Sequence, residues 1–220
     1  MDGGSQTTAR QTFDQNGRAV GRRGLQTRQR LLEATAELLR EQGMRDLRVV
    51  DVARAVGTSP ATFYQYFKDV REAILRLSEQ AAEEMPDIVN LIDGPWRGQS
   101  GLKTARAVVD AVIRHWDTHE AVLRVRNLSA DEGDPRFRRV VRDALSPLVD
   151  RLSAEIRRAQ GAGRVSPDVS AAAAAASLVA MLERMASYHA QLENRGVTHS
   201  KLVETCARIL FQTVTGRSAP

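Results

Sequence analysis

The sequence predicts an all-α fold: a small N-terminal helix-turn-helix domain of three helices, then a larger helical domain, about nine helices in total. Three observations lead there. Apolar residues recur at i, i+3, i+4 and i+7 along most of the chain, the period of an amphipathic helix. No stretch alternates apolar and polar residues as a half-buried strand would. In the first third, glycine and proline break the helical period at short intervals. The resulting helices are too brief to be stable unless packed.

The elements follow in order. Residues 1–24 are rich in Gly, Gln, Thr and Arg and lack an apolar period, so a disordered basic arm is expected. "TRQRLLEATAELLREQG" (27–43) sets Leu31, Leu32, Thr35, Leu38 and Leu39 on one face, with Thr27 placed to cap its start and Gly43 to end it. "LRVVDVARAVG" (47–57) is a shorter helix with Val49, Val52, Ala53 and Val56 facing inward and Gly57 closing it. "SPATFYQYF" (59–67) is shorter still, with Ser59 at the N-cap and Pro60 at the N1 position that proline favours. "DVREAILRLSEQAAEEM" (69–85) is a fourth helix capped by Asp69. The loop "GPWRGQSG" (94–101) leads to helices over 102–119 and 120–130. A longer helix over 135–160 is expected to kink at Pro147. Two more helices complete the chain.

Two short helices joined by a glycine turn form the helix-turn-helix pattern, whose second helix reads the DNA major groove with its N-terminal residues. Charge is compatible with this. Residues 1–77 carry 13 basic against 9 acidic side chains, while the remainder is nearly balanced. That excess is modest and also common on solvated helices, so it is not decisive.

These residues resemble the DNA-binding domain of TetR-family transcriptional regulators. The resemblance rests on Gly43, Asp51, Val52, Ala53, Gly57, Ser59, Pro60, Tyr64, Phe67 and Glu72, in order and spacing, over about residues 27–77. It departs from the family pattern at two places. Arg48 stands where a hydroxyl N-cap is usual, leaving Asp46 to cap. Val70 stands where a phosphate-holding lysine is usual, leaving Lys68 or Arg71 for that contact. The resemblance implies a dimeric, ligand-responsive regulator, most often a repressor on a palindromic operator. An activator, a broad DNA-binding member, or an all-helical acyl-chain carrier or enzyme are the alternatives.

The domains are expected as 1–24 (arm), 25–70 (DNA-binding) and 71–220 (effector-binding and dimerisation). For DNA contact the candidates are Arg48, Thr58, Ser59, Pro60, Ala61, Thr62, Tyr64, Gln65, Lys68 and Arg71, with Arg22 and Arg23 as a minor-groove arm. Phe63 and Phe67, four apart, share a face and suit the core, whereas Tyr64 turns toward the surface. Trp96, Ile113, Trp116, Leu123, Asn127, Phe137, Met181, Met185 and Tyr188 are candidates to line an apolar effector pocket, or else plain core. The effector is expected to be small and apolar: an acyl chain, an acyl-CoA or an aromatic compound. Ala175, Leu178, Leu182, Cys206, Ile209 and Leu210 are candidates for a homodimer interface, because the final helices are apolar on more than one side.

Other classes fit less well. A single cysteine, Cys206, leaves no intrachain disulfide. His115 and His119 are four apart but read as structural, so no metal or cofactor is expected. No nucleophile elbow or phosphate loop suggests an enzyme. No apolar run approaches the roughly 20 residues of a membrane helix, and the start lacks a signal-peptide core. A cytoplasmic protein without a membrane partner is expected.

Overall fold

The computed structural model describes Gln15 and residues 17–220; most of the expected arm (residues 1–14 and Asn16) lies outside them. The described residues form nine helices: α1 (Arg22–Asp46), α2 (Val49–Val56), α3 (Pro60–Tyr66), α4 (Val70–Ala82), α5 (Met85–Leu91), α6 (Gly98–Asp131), α7 (Pro135–Gly161), α8 (Ala171–Glu193) and α9 (His199–Thr215). The chain separates into two compact units, Met1–Leu77 and Ser78–Pro220, so the division falls seven residues beyond the expected 70/71 boundary.

In the first unit, α1 packs on α2 and α3. Its core includes Leu31, Leu32, Leu39, Val52, Ala53, Phe63 and Phe67. Buried Thr35 is satisfied by its own helix, donating to the Leu31 carbonyl at 2.7 Å. Helix α1 starts at Arg22, earlier than expected, with Gly21 at its N-cap. Thr27 is therefore inside the first turns and donates to the Arg23 carbonyl instead of capping. Gly43 does break α1, at φ 76°. Arg48 occupies the N-cap of α2 without a side-chain cap bond. Asp46, expected to cap α2, is the last residue of α1.

In the second unit, α6 is the central element, contacting α5, α7, α8 and α9. The two helices expected over 102–119 and 120–130 run on as α6, which starts earlier, at Gly98, and leaves helical geometry at His119, where their division was expected (φ −118°, ψ 16°). The expected fourth helix ends at Ala82, and a separate α5 follows with Pro86 in its first turn, where proline's missing N–H costs nothing. Pro147 sits inside α7 without ending it. Part of the expected 94–101 loop is the first turn of α6, where buried Gly101 lets Phe211 and the Trp96 backbone come close. An Arg106–Glu204 ion pair (2.6 Å), shared with Arg208, ties α6 to α9.

Candidate DNA-reading helix and effector cleft

The turn between α2 and α3 is set locally. Gly57 takes the left-handed conformation (φ 71°, ψ 38°), and its N–H closes on the Ala53 and Arg54 carbonyls. Arg30 reaches across from α1 and donates to the Val56 carbonyl at 2.9 Å, holding the end of α2. The Ser59 side chain accepts from the Thr62 N–H, and its hydroxyl lies 3.1 Å from that of Thr62. Both hydroxyls are thus engaged in starting the helix.

Helix α3 has two faces. Phe63 and Phe67 are fully buried, ring centroids 5.3 Å apart, and the Arg28 guanidinium lies 5.1 Å from the Phe67 ring centre. Pro60, Ala61, Tyr64, Gln65 and, just beyond, Lys68 are exposed; Thr58 and Thr62 are partly so. Tyr64 is 51% exposed. Tyr66 packs inward, with its hydroxyl beside Gly24 of α1. The start of α4 is fixed reciprocally. Asp69 accepts from the Glu72 N–H and Glu72 accepts from the Lys68 N–H, both at 2.7 Å, close to a capping box. Arg71 is half-buried.

Two expected arm residues, Arg22 and Arg23, are exposed but belong to the first turn of α1, not to a free arm. The arm residue that does touch this surface was not foreseen. The Gln15 N–H donates to the Gln65 carbonyl at 2.9 Å, and its side chain reaches the Tyr66 carbonyl and Glu72.

The second unit contains an apolar cleft between α5, α6, α7 and α8, lined chiefly by Met85, Ile88, Trp116, Leu123, Leu148 and Leu182. Trp116 and Leu123 were expected there. Of the others, Ile113 and Phe137 are packed into core, Met181 and Met185 pack against it, and Asn127 accepts a 2.9 Å bond from Arg126. Tyr188 is 39% exposed beneath the Arg184 guanidinium. Trp96 lines a separate, polar depression with Arg97, Arg158, Arg164 and Arg217. The periodicity gave inward-facing residues but not which of them leave space.

Three polar side chains break the apolar lining: Arg126, Glu183 and His115. Arg126 is 2% exposed and pairs with Glu183 at 3.1 Å. Burial pulls the Arg126 guanidinium down and pushes the Glu183 carboxyl up, each offset in part by the other's charge. Burial, helped by the nearby His119, also lowers the affinity of His115 for a proton. The cleft is nearly filled, with a free volume of about 30 Å³, room for a water or two.

Of the six residues expected at a homodimer interface, Ala175, Leu178, Leu182, Cys206 and Leu210 are buried within this chain, and only Ile209 is exposed, at 41%. The heptad-like stripes of α8 and α9 face the unit's own core. The outward face of α8 carries small residues instead: Ala172, Ala173, Ala176, Ser177 and Ala180. Burial raises the Cys206 thiol above its ordinary value, against a reactive thiolate.

A helix-turn-helix followed by an all-helical unit with an internal apolar cleft is the architecture of a DNA-binding transcription regulator with a second domain. Residues 31–76 match the family model for bacterial regulatory proteins of the tetR family, and residues 87–220 match a tetracyclin repressor-like C-terminal domain. The chain belongs to the TetR family, whose members are transcription regulators, not enzymes.

Among solved structures it is similar to the fatty acid degradation regulator FadR of Bacillus halodurans (15% identity, TM-score 0.65, covering 84% of this chain and 94% of that one). It is also similar to Thermus thermophilus FadR in complex with lauroyl-CoA (21%, 0.51, 88% and 97%). A third similar structure is a SmeT–triclosan complex (14%, 0.59, 86% and 90%). At these identities the likeness is one of fold. No curated protein matches significantly. Among the described residues, no helix is long and apolar enough to cross a membrane.

Proposed function

We propose that this chain is a repressor that binds a palindromic operator as a homodimer and is released by a small, largely apolar effector. The observation that carries the reading is the two-faced α3: Phe63 and Phe67 anchor it, and the outward face offers small and hydrogen-bonding groups to a groove. In this reading Pro60, Ala61, Thr58 and Thr62 allow close approach, and Gln65 is the one side chain suited to bidentate contact with adenine. Tyr64, Lys68, Arg71 and Arg48 contact phosphates, with Arg22 and Arg23 adding backbone contacts from α1. Ser59 starts the helix. With few bidentate contacts, DNA shape carries much of the specificity.

Residues 78–220 receive the effector and form the dimer. The outer alanines of α8 and Ile209 of α9 suit the dimer face, because small side chains let a second helix approach closely. Effector in the α5–α8 cleft favours a conformation that moves the two reading helices off the ~34–36 Å spacing of successive major grooves. An apolar body with one polar end, which Arg126 or Glu183 would meet, fits the lining best; the acyl and aromatic ligands in the FadR and SmeT structures are of that kind.

The test is footprinting on genomic fragments with the purified full chain, joined to sedimentation. A palindromic protected site and a dimer are expected. Tyr64→Phe weakens operator binding about 3–10-fold, the worth of one hydrogen bond to a charged group or less, with unchanged melting. Absence of sequence preference at low salt removes the reading.

A further inference from the structure

Glu84 occupies the N-cap of α5, two residues beyond the end of α4. It faces a histidine pair one turn apart on α6. Its Oε2 lies 2.9 Å from His119 Nε2 and 3.3 Å from His115 Nδ1. One nitrogen or oxygen from each of the three side chains falls within 4.8 Å of the others. His119 is also the residue at which α6 leaves helical geometry. The sequence shows only the i, i+4 histidines. The third group comes from a residue 31 positions earlier, which no local pattern reveals.

Hydrogen bonding alone leaves this arrangement poorly compensated. The His115 side chain is 9% exposed, yet the nitrogen it turns to Glu84, Nδ1, has a single contact of 3.3 Å. A buried polar ring held so loosely costs free energy. A second imidazole converging on the same carboxylate oxygen brings together two nitrogen donors and one oxygen donor, the ligand types of a zinc-class centre. Four-coordinate zinc, with bonds of about 2.0–2.1 Å, separates its ligand atoms by roughly 3.3–3.4 Å. The His115–Glu84 spacing of 3.3 Å already matches that value, and an outward shift of the exposed carboxylate lengthens the His119–Glu84 spacing of 2.9 Å toward it.

We propose that Glu84, His115 and His119 bind a divalent transition-metal ion of the zinc class. Two imidazoles and one carboxylate select zinc, cobalt, nickel or copper over magnesium and calcium, which take oxygen ligands. Three protein ligands leave a position open to water or a further ligand. Glu84, at 54% exposure, gives the ion access from solvent. The bound ion clamps the start of α5 to the bend of α6, beside the effector cleft that His115 and Met85 line. This proposal does not depend on the reading of operator or effector.

The experiment uses tag-free, chelator-treated full-length protein titrated with Co(II) and followed by visible absorption, with Zn(II) in competition. One ion per chain is expected, displaced by Zn(II) and not by Mg(II), with a rise in melting temperature on loading. Glu84→Gln and His119→Ala, at solvent-reachable positions, each weaken binding by at least tenfold, since even outer-shell losses cost 10–100-fold. His189→Ala and His199→Ala, in the Asp117 and Asp110 pairs, leave it unchanged. Binding no tighter than that of a His115→Ala/His119→Ala double variant overturns the proposal. So does stoichiometric binding that survives both Glu84→Gln and His119→Ala.

Discussion

The two compact units solve the same packing problem and place their polar atoms in opposite ways. The first unit buries Phe63, Phe67 and aliphatic residues and turns Ser59, Thr62, Tyr64 and Gln65 outward or into caps. The second buries Arg126 almost completely, together with most of His115, around a cleft. A surface that reads an external partner keeps its polar atoms wet and its anchor apolar. On the proposed reading the second unit takes a ligand inside and meets its polar end with groups buried in the core, at a cost in stability.

That contrast can be broken by mutation. The largest effect is expected from Phe67→Ala, which empties the centre of the first unit and costs about 3–5 kcal/mol. Denaturant titration should show it unfolding while residues 78–220 retain their transition. In the second unit, Arg126→Met strands Glu183 and costs about 3 kcal/mol, whereas Arg126→Met with Glu183→Leu returns most of the loss. If the double variant is no better than the single, the buried pair is not the source of the cost.

Gly101→Ala comes next. Its methyl would stand 2.7 Å from the Trp96 backbone and from the Phe211 ring. About 1–3 kcal/mol is expected, as for other overpacked sites, read as a lowered melting temperature. The smallest effect is at Glu204→Gln. Hydrogen bonds from Arg106, then Arg208, hold the Glu204 carboxyl down at about 2, below its ordinary 4.5. A depressed folded value gives stability that is present above pH 4.5 and lost as pH falls toward 2. The melting difference between wild type and variant should therefore be small at neutral pH and vanish in acid.

The same contrast explains what was legible in the sequence. The first unit is written in local signals: Gly57 for the turn, Ser59 and Pro60 for the helix start, and Phe63 with Phe67 for the buried face. Each works over a few residues, so each could be read directly. Thr27 misled because Gly21 already ends the preceding segment and lets α1 begin a turn and a half earlier. In the second unit, helices were evident from periodicity, but their partners were not. In sequence the apolar stripes of α8 and α9 favour a dimer interface, because they stand last in the chain with little left to cover them. Only packing shows that Leu178, Leu182, Cys206 and Leu210 belong to the core. Likewise, Arg126 and Glu183 lie 57 residues apart and find each other through the fold.

As the effector site proposed above, the nearly filled cleft would make the protein a selective listener. About 30 Å³ of free volume is far less than an acyl chain or aromatic ring occupies, so in the mechanism proposed above the lining parts to admit one. The apparent affinity of any effector is divided by the fraction of time the cleft stands open; at 1% open, a ligand binds about 100-fold more weakly than its contacts allow. On the proposed reading, trace amounts of an effector are ignored, and the regulator answers only when its signal molecule accumulates.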